Sequence, residues 1–327
     1  MKIFISGATG FIGSRLALKL AGEGHEIHAL YRSEHKKRVL DHPNVRFFKG
    51  DILDYQSLKE AMAGCSGVYH TAAFAGVWMQ DSMQIYRHNV EGAMNVFNAA
   101  IWAGAERIVC TSTAGVIGHS PEGESVNETS PLPEKYFLDY ENSKRILEES
   151  VKTLASAGVN IVMVSPTRVY GPGPLNESNS VTRIFTRYMK GNWKIIPGDG
   201  TSTGNYVFID DVITGHIKAM EHGKPGEKYI LGGTDIDYNE FFEILAELTG
   251  LRYRMIHIPL AVSKAVAGIL TAMARVTGKA PLITPALVEK YNHNWKVSSN
   301  KAMRELNYNP VDFRTGAKIT IDWLRGQ

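Results

Sequence analysis

The chain has 327 residues and 44% hydrophobic content, enough for a large core in one α/β domain or two smaller ones. Its formal net charge is only +3, with no basic run or tail of the kind that binds nucleic acid, so we expect no nucleic-acid partner. Two cysteines without CxxC spacing and scattered histidines exclude a disulfide framework and a metal-ligand pair, so we predict a cytoplasmic protein without a metal.

The first half of the chain alternates short apolar runs with helical patterns. The apolar runs predict strands over 2–6, 26–31, 46–49, 67–71, 107–111 and 160–165. The patterns between them predict helices over 11–21, 55–63, 81–102 and 140–157. This alternation is typical of an α/β fold with a doubly wound parallel sheet that is covered on both faces.

After Ser165 the alternation stops and proline and glycine cluster along the chain. The later patterns predict helices over 181–190, 211–221, 238–249 and 300–306, with short strands over 228–231 and 253–258. We therefore predict a dinucleotide-binding domain over 1–166, with 207–226 returning to it, and a smaller mixed α/β substrate-binding lobe over 167–327.

The stretch from Ile258 to Val276 is apolar enough to suggest a membrane span, but it is short for one and two cations interrupt it. Lys264, Gly268, Thr271 and Arg275 recur at helical spacing. The other face is filled by Val262, Val266, Ile269, Leu270 and Met273. This pattern predicts an amphipathic helix packed on a core and no membrane partner; a helix lying on a membrane surface is the alternative.

A glycine-rich turn follows the first predicted strand, with Gly7, Gly10 and Gly13 in the segment GATGFIG. Glycines at this spacing allow a tight turn, a close approach of the backbone to a phosphate, and close packing of the next helix. The amino end of that helix then faces the phosphates. Since the turn lies between a strand and a helix, the segment predicts dinucleotide binding.

The end of the second predicted strand distinguishes NAD from NADP. An NAD site usually has a carboxylate there, but this chain has Arg32 and no carboxylate until Glu34. Arg32 can pair with the 2′-phosphate of NADP, with Lys36 or Lys37 as a second cation. The segment therefore predicts NADP(H), the alternative being a solvated basic loop.

Tyr140 and Lys144 stand four residues apart in a predicted helix and so share one face. A free phenol has a pKa of about 10, and a nearby cation lowers it by about 1–3 pH units, which suits proton exchange. Upstream, the strand 107–111 leads into Ser112 and Thr113, whose hydroxyl groups can donate to a substrate oxygen. These residues together predict a catalytic site.

The order of glycine turn, strand-end hydroxyl and Tyr-x-x-x-Lys resembles the short-chain dehydrogenase/reductase superfamily. Further segments are similar to its extended branch, the NAD-dependent epimerase/dehydratase superfamily. They are GDI at 50–52, HTAA at 70–73, NVEGAMNV at 89–96, SPTRVYGPG at 165–173, VFIDDV at 207–212 and GEKYILGG at 226–233. The segments TSTAG at 111–115 and GCSGVYH at 64–70 most resemble the dihydroflavonol 4-reductase-like group of NADP-dependent reductases.

The resemblance implies a Rossmann domain and hydride transfer between a nicotinamide and a small organic carbonyl or alcohol. It assigns Thr113 to orient the substrate oxygen, Tyr140 to exchange its proton and Lys144 to tune Tyr140, with Ser112 as the less favoured hydroxyl. Tyr140 and Lys144 also contact the cofactor. The other expected cofactor-binding residues are Gly7, Thr9, Gly10, Phe11, Ile12, Gly13, Arg32, Lys36, Asp51, Ile52, Ala72, Ala73, Asn89, Thr111, Pro166 and Val169.

Two alternative functions stay open: a sugar epimerase or dehydratase of the same fold, and a non-catalytic NADP-binding sensor. Sensors commonly lose the tyrosine or the lysine, and this chain keeps both. Sugar epimerases of the branch commonly carry an arginine where this chain has Gly204, and Asn or Arg where it has Ser165. These differences predict that the substrate is not a nucleotide sugar, unless Arg183 or Arg187 compensates.

The family also suggests a homodimer in which the helices that carry Tyr140 and Asn89 pair across a two-fold axis. The apolar side chains available for such a bundle are Ile146, Leu147, Val151, Val96, Phe97 and Ile101. The loop Val77-Trp78-Met79, after the fourth predicted strand, lines an apolar pocket or is ordinary packing.

Overall fold

A computed structural model describes residues 1–76 and 78–327 of the chain. Its strands are β1 Lys2–Ser6, β2 Glu26–Tyr31, β3 Val45–Lys49, β4 Gly67–His70, β5 Arg107–Thr111, β6 Ile161–Pro166, β7 Arg168–Tyr170, β8 Ile195–Pro197, β9 Thr203–Phe208, β10 Lys228–Leu231, β11 Thr234–Asp237 and β12 Ile256–Ile258. Its α-helices are α1 Phe11–Gly22, α2 Tyr55–Met62, α3 Met83–Tyr86, α4 Gly92–Trp102, α5 Asp139–Ser156, α6 Ser180–Met189, α7 Ile209–His222, α8 Tyr238–Thr249, α9 Leu260–Thr277, α10 Pro285–Tyr291, α11 Asn300–Leu306 and α12 Phe313–Arg325.

The main sheet has seven parallel strands in the order β10-β6-β5-β4-β1-β2-β3, which confirms the predicted doubly wound fold. The strand order changes direction at β1, which pairs with β4 on one side and β2 on the other. Ser6 at the end of β1 lies in register with His70 at the end of β4. The glycine turn and the loop after β4 therefore flank the crevice where ligands bind in open α/β sheets.

The main domain takes more of the second half of the chain than predicted. Helix α7 packs on the sheet, as expected for residues that return to it. Strand β10 also joins the sheet beside β6, although its residues lie beyond the predicted limit of 226. All four of its residues are buried, because a parallel strand between two helical layers has no exposed face. Helix α11 packs against α7 and β10 and so belongs to the same layer.

The remaining elements build the mixed lobe around two small sheets. One has the order β11-β9-β7 and the other pairs β12 with β8. Its core is aromatic: the ring centroids of Tyr170, Phe185, Tyr206, Phe241 and Phe313 lie 5.0–6.1 Å apart in neighbouring pairs. Strands β7, β8, β9 and β11 and helices α10 and α12 were not among the predicted elements. Strands β7, β8 and β11 are only three or four residues long, so they carry too little periodicity to be found from the sequence.

The predicted packing of α9 is wrong. The face expected to meet a core is exposed: Val262, Val266, Ile269 and Met273 keep 45–64% of their surface accessible. The buried positions of α9 are Ala267 and Ala274, which are small enough to let it approach α10 closely. The small residues therefore form the packed face and the large apolar residues face solvent.

Fewer of the apolar side chains proposed for a dimer interface are exposed than the prediction requires. Val96, Phe97, Leu147 and Val151 are completely buried within the chain and cannot contact a second copy. Ile101 remains exposed. The homodimer stays a prediction.

Candidate active site

The glycine turn has a conformation that only these residues allow. Gly7 has a φ of +72°, and a Cβ there would lie 2.6 Å from the backbone nitrogen of Ala72 in the loop after β4. A Cβ at Gly13 would overlap the carbonyl oxygen of Gly7. Helix α1 and the loop after β4 therefore pack directly against the turn.

The amino end of α1 fits the phosphates of a dinucleotide. Gly10 is the N-cap of the helix, and its lack of a side chain leaves the first-turn amides without a side-chain acceptor. Thr9 and Ile12 beside it are partly exposed, whereas Phe11 is buried. Backbone amides at a helix N-terminus bind anions, so Gly7, Thr9, Gly10 and Ile12 are placed to hold the pyrophosphate.

The cations expected to bind the 2′-phosphate differ in their exposure and in their ion pairs with carboxylates. The Arg32 side chain is 64% exposed, and its Nη1 lies 3.4 Å from Oδ2 of Asp51, which draws together two predicted cofactor contacts. Lys37 pairs with Glu34 at 3.3 Å and lies over the ring of Tyr31, 4.8 Å from its centroid. Lys36 is exposed, so it is the better second cation.

The three predicted catalytic residues, Thr113, Tyr140 and Lys144, line one cavity of about 470 Å³ between the main domain and the lobe. Five of the predicted cofactor contacts line the same cavity. They are Ile12, Ala73, Thr111, Pro166 and Val169. Trp78 also lines it, in agreement with the pocket interpretation of its loop, whereas Val77 lies outside the described residues.

The pKa of Tyr140 moves in the opposite direction from that expected. Burial raises the pKa of the phenol, the Glu141 carboxylate raises it further, and a hydrogen bond with Thr113 lowers it. Burial lowers the pKa of Lys144, whose Nζ donates a hydrogen bond to the carbonyl oxygen of Thr111 at 2.8 Å. In this arrangement Tyr140 keeps its proton at neutral pH and can donate it.

Of the two candidate hydroxyl groups, only that of Ser112 belongs to a buried polar network. Ser112 donates to Oε1 of Glu148 at 2.6 Å, and Oε2 of Glu148 pairs with Nζ of Lys228 at 3.0 Å. Ser112 also lines the cavity, but its hydroxyl proton is already used in the hydrogen bond to Glu148. Thr113 is only half-buried, and its hydroxyl oxygen accepts a hydrogen bond from the Gly115 amide at 3.2 Å, which does not use the hydroxyl proton. The geometry supports Thr113.

Asn89 does not present its side chain to a cofactor. It lies in a π-turn, Arg87–Glu91, that interrupts the helix predicted over 81–102. Its Oδ1 accepts from the amide of Phe74 at 2.7 Å, and its Nδ2 donates to the Phe74 carbonyl and to the Ser143 hydroxyl. Asn89 thus fixes the loop after β4 to α5. The Ile52 side chain is likewise buried, against Gly92.

Arg168 is a residue of the cavity that the sequence did not indicate. Its Nη1 donates to the hydroxyl groups of Tyr206 and Tyr238 at 3.1 and 3.3 Å, and its guanidinium carbon lies 4.8 Å from the ring centroid of Tyr291. Its Nη2 is buried without a hydrogen-bond partner, and Arg168 has no ion pair within the described part of the chain. A buried guanidinium without a counterion is costly, so this cation is suited to an anionic ligand group.

The position of Arg168 weakens the prediction, based on Gly204, that the site lacks the cation of the sugar epimerases. A Cβ at Gly204 would overlap Nη1 of Arg168, so the guanidinium occupies the space of a residue 204 side chain. The cation absent from position 204 is thus supplied by β7. Of the two compensating cations considered, Arg183 lines the cavity and Arg187 does not. Lys290 also lines it and pairs with Glu141 at 2.6 Å.

Comparison with known proteins gives one family. The model of the NAD dependent epimerase/dehydratase family matches residues 3–232. A Synechocystis protein provisionally named dihydroflavonol 4-reductase is 28% identical over 98% of this chain and 94% of its own length. The resemblance stated from the motifs is confirmed.

Two further relatives cover different activities. A 2-alkyl-3-oxoalkanoate reductase from Stenotrophomonas maltophilia is 33% identical over 69% of this chain and 67% of its own length. The crystal structure of Thermus thermophilus UDP-glucose 4-epimerase in complex with NAD has a TM-score of 0.81 and 26% identity, and covers 100% of this chain and 99% of its own. Both reductases and epimerases therefore share this fold.

Proposed function

This chain belongs to the NAD-dependent epimerase/dehydratase family, and from that premise we propose that it is an NADP(H)-dependent carbonyl reductase for organic substrates that carry an acidic group. The observation that carries the proposal is the convergence of Thr113, Tyr140 and Lys144 on one cavity beside the glycine turn. The test is NADPH oxidation with a panel of aldehydes, ketones, 3-oxo acids and nucleotide sugars, with identification of the products. Isomerisation of a sugar without net oxidation of NADPH would contradict it.

The proposed reaction divides the work between cofactor and chain. The nicotinamide, when bound, supplies the hydride that reduces the carbonyl carbon. Thr113 orients the carbonyl oxygen, and Tyr140 transfers its phenolic proton to that oxygen as the alcohol forms. Tyr140 starts protonated, as reduction requires, but its raised pKa makes it a weaker acid, so the phenolate that forms needs stabilisation. Lys144, held against the Thr111 carbonyl, stabilises the phenolate that remains.

We expect NADP(H) rather than NAD(H), because Arg32 is exposed at the end of β2 where an NAD site has a carboxylate. Replacing Arg32 with aspartate should weaken NADPH binding by about 1.5–3 kcal/mol, the usual contribution of a charged hydrogen bond, and leave NADH binding less affected. Calorimetric titration with both cofactors measures the difference. Lys37→Met is the matched control, since Lys37 already pairs with Glu34. A wild-type preference for NADH would refute the assignment.

Arg168 supports a substrate with a carboxylate group. The similarity to an oxoalkanoate reductase agrees with such a substrate. Arg168→Met should raise KM for a 3-oxo acid by roughly 10–100-fold, since a charge-assisted contact is lost, and leave KM for the matching neutral ketone nearly unchanged. Arg187→Met, on the same lobe but outside the cavity lining, is the control. Equal effects of Arg168→Met on both substrates would contradict the assignment.

A nucleotide-sugar epimerase is the second candidate function, because Arg168 and Arg183 restore cations near the place of the missing one. The reductase is favoured, since one guanidinium with Nη1 already engaged by two tyrosines provides few donors for a diphosphate. UDP-glucose at millimolar concentration should therefore neither raise the melting temperature of the NADPH complex nor inhibit ketone reduction. A clear thermal shift would favour the epimerase.

A further inference from the structure

Helix α9 presents a row of large apolar side chains to solvent along its whole length. The row is formed by Val262, Val266, Ile269, Met273 and Val276, whose exposed fractions range from 45% to 88%. Their spacing of three and four residues places them on one side of the helix, here called the apolar face of α9. A continuous exposed apolar surface of this kind marks a site of interaction.

The attachment of α9 holds it flat against the lobe. The opposite side packs against α10 through Ala267 and Ala274, and both ends of the helix continue into elements of the same lobe. By length and composition α9 is the one helix among residues 1–76 and 78–327 that could cross a membrane. Because β12 precedes it and α10 folds back on it, a surface can meet α9 only along its side.

The charged residues of the segment that contains α9 indicate which kind of surface the helix would bind. Residues 248–288 contain five lysines and arginines and no aspartate or glutamate. Two of these cations pair with carboxylates outside the segment. The other three, Arg254, Arg275 and Lys279, are exposed and have no ion-pair partner in the described part of the chain. An exposed apolar face in a segment with unpaired cations and no carboxylate matches an anionic lipid surface.

We propose that α9 binds in the plane of an anionic lipid surface, with its apolar face at the acyl-chain boundary and Lys279, just after the helix, among the headgroups. A second copy of the chain fits this face less well. The segment 248–288 has three unpaired cations and no carboxylate, so a copy of the same segment offers no opposite charge to pair with them.

The lipid contact lies beside the proposed active site. The segment after α9 contributes Ala280, Pro281 and Leu282 to the cavity that Tyr140 also lines, and Leu282 is 60% exposed. Binding through α9 therefore puts this part of the cavity lining close to the lipid surface. This step rests on the proposed function and specifies its substrate class: carbonyl compounds with an alkyl chain, taken up from the membrane.

The test is sedimentation of the full chain with vesicles of equal parts phosphatidylcholine and phosphatidylglycerol. The wild type should bind these vesicles, bind them less at high salt, and bind pure phosphatidylcholine weakly. The double substitution Ile269→Ser with Met273→Ser should lower the partition coefficient by roughly tenfold or more, since two apolar anchors are lost. The control, Met303→Ser with Ile319→Ser, removes apolar side chains that are 43% and 45% exposed on α11 and α12, and this variant should bind like the wild type.

Three results would overturn the proposal: no binding of the wild type to anionic vesicles, equal loss of binding in the control, or a dimer that the α9 variant abolishes without any vesicle binding. Equal melting temperatures of all variants establish that each is folded. Vesicle binding needs no turnover, so its failure leaves the reductase proposal intact. Conversely, an inactive protein that binds vesicles through α9 contradicts only the proposed function.

Discussion

Tyr140→Phe is expected to lower kcat for carbonyl reduction by roughly 10²–10⁴-fold, the usual contribution of a positioned general acid. The substitution removes the hydroxyl group that we propose as the proton donor to the substrate oxygen, and it keeps the ring that lines the cavity. NADPH affinity should change little. Steady-state kinetics on the substrate identified by the panel, with calorimetric titration of NADPH, measures both quantities.

Tyr136→Phe is the matched control for this experiment. Tyr136 is close in the chain, but its hydroxyl group donates to the Val116 carbonyl at 3.0 Å and does not reach the catalytic cavity. Its loss should leave kcat close to that of the wild type. Because Glu148 engages the Ser112 hydroxyl, Ser112→Ala should also retain turnover, whereas Thr113→Ala should lose it. A Tyr140→Phe variant with wild-type turnover would remove Tyr140 from the mechanism.

Glu148→Leu is expected to lower the free energy of unfolding by about 3–5 kcal/mol, because it leaves the buried Lys228 ammonium without its counterion. Both side chains are more than nine-tenths buried, and their atoms lie 3.0 Å apart. The same carboxylate accepts the hydrogen bond from Ser112, so the loss also frees a hydroxyl group at the end of β5. Urea unfolding followed by circular dichroism measures the change.

Two further variants test whether the cost comes from an unpaired buried charge. Adding Lys228→Met to Glu148→Leu should recover most of the lost stability, since both charges are then replaced by apolar groups. Glu149→Leu, at the next position of α5, breaks an exposed pair with Arg145 and should change stability by no more than about 1 kcal/mol. A small effect of Glu148→Leu would show that water reaches Lys228.

The candidate site could be predicted in part because several of its features are local in the chain. The turn at Gly7, Gly10 and Gly13 depends on neighbouring residues, and the spacing of Tyr140 and Lys144 places them on one side of any helix. The strands β1, β2 and β5 agree with their predicted bounds, because buried parallel strands are nearly continuous apolar runs. The common cavity of Thr113, Tyr140 and Lys144 then follows from the strand order.

Contacts between distant segments decided the rest. The spacing of large and small residues in α9 does not indicate which of the two faces is packed. The packing of Ala267 and Ala274 against α10 leaves the large apolar residues exposed. Arg168 lies over Gly204 because β7 pairs with β9, and no periodicity in a three-residue strand indicates that pairing. Likewise, the hydrogen bond from Ser112 to Glu148, 36 residues further along the chain, is what makes Thr113 the better candidate hydroxyl. The sequence by itself determined the fold and the candidate catalytic groups through local spacing, whereas packing between segments determined the position of Arg168 and the exposed face of α9.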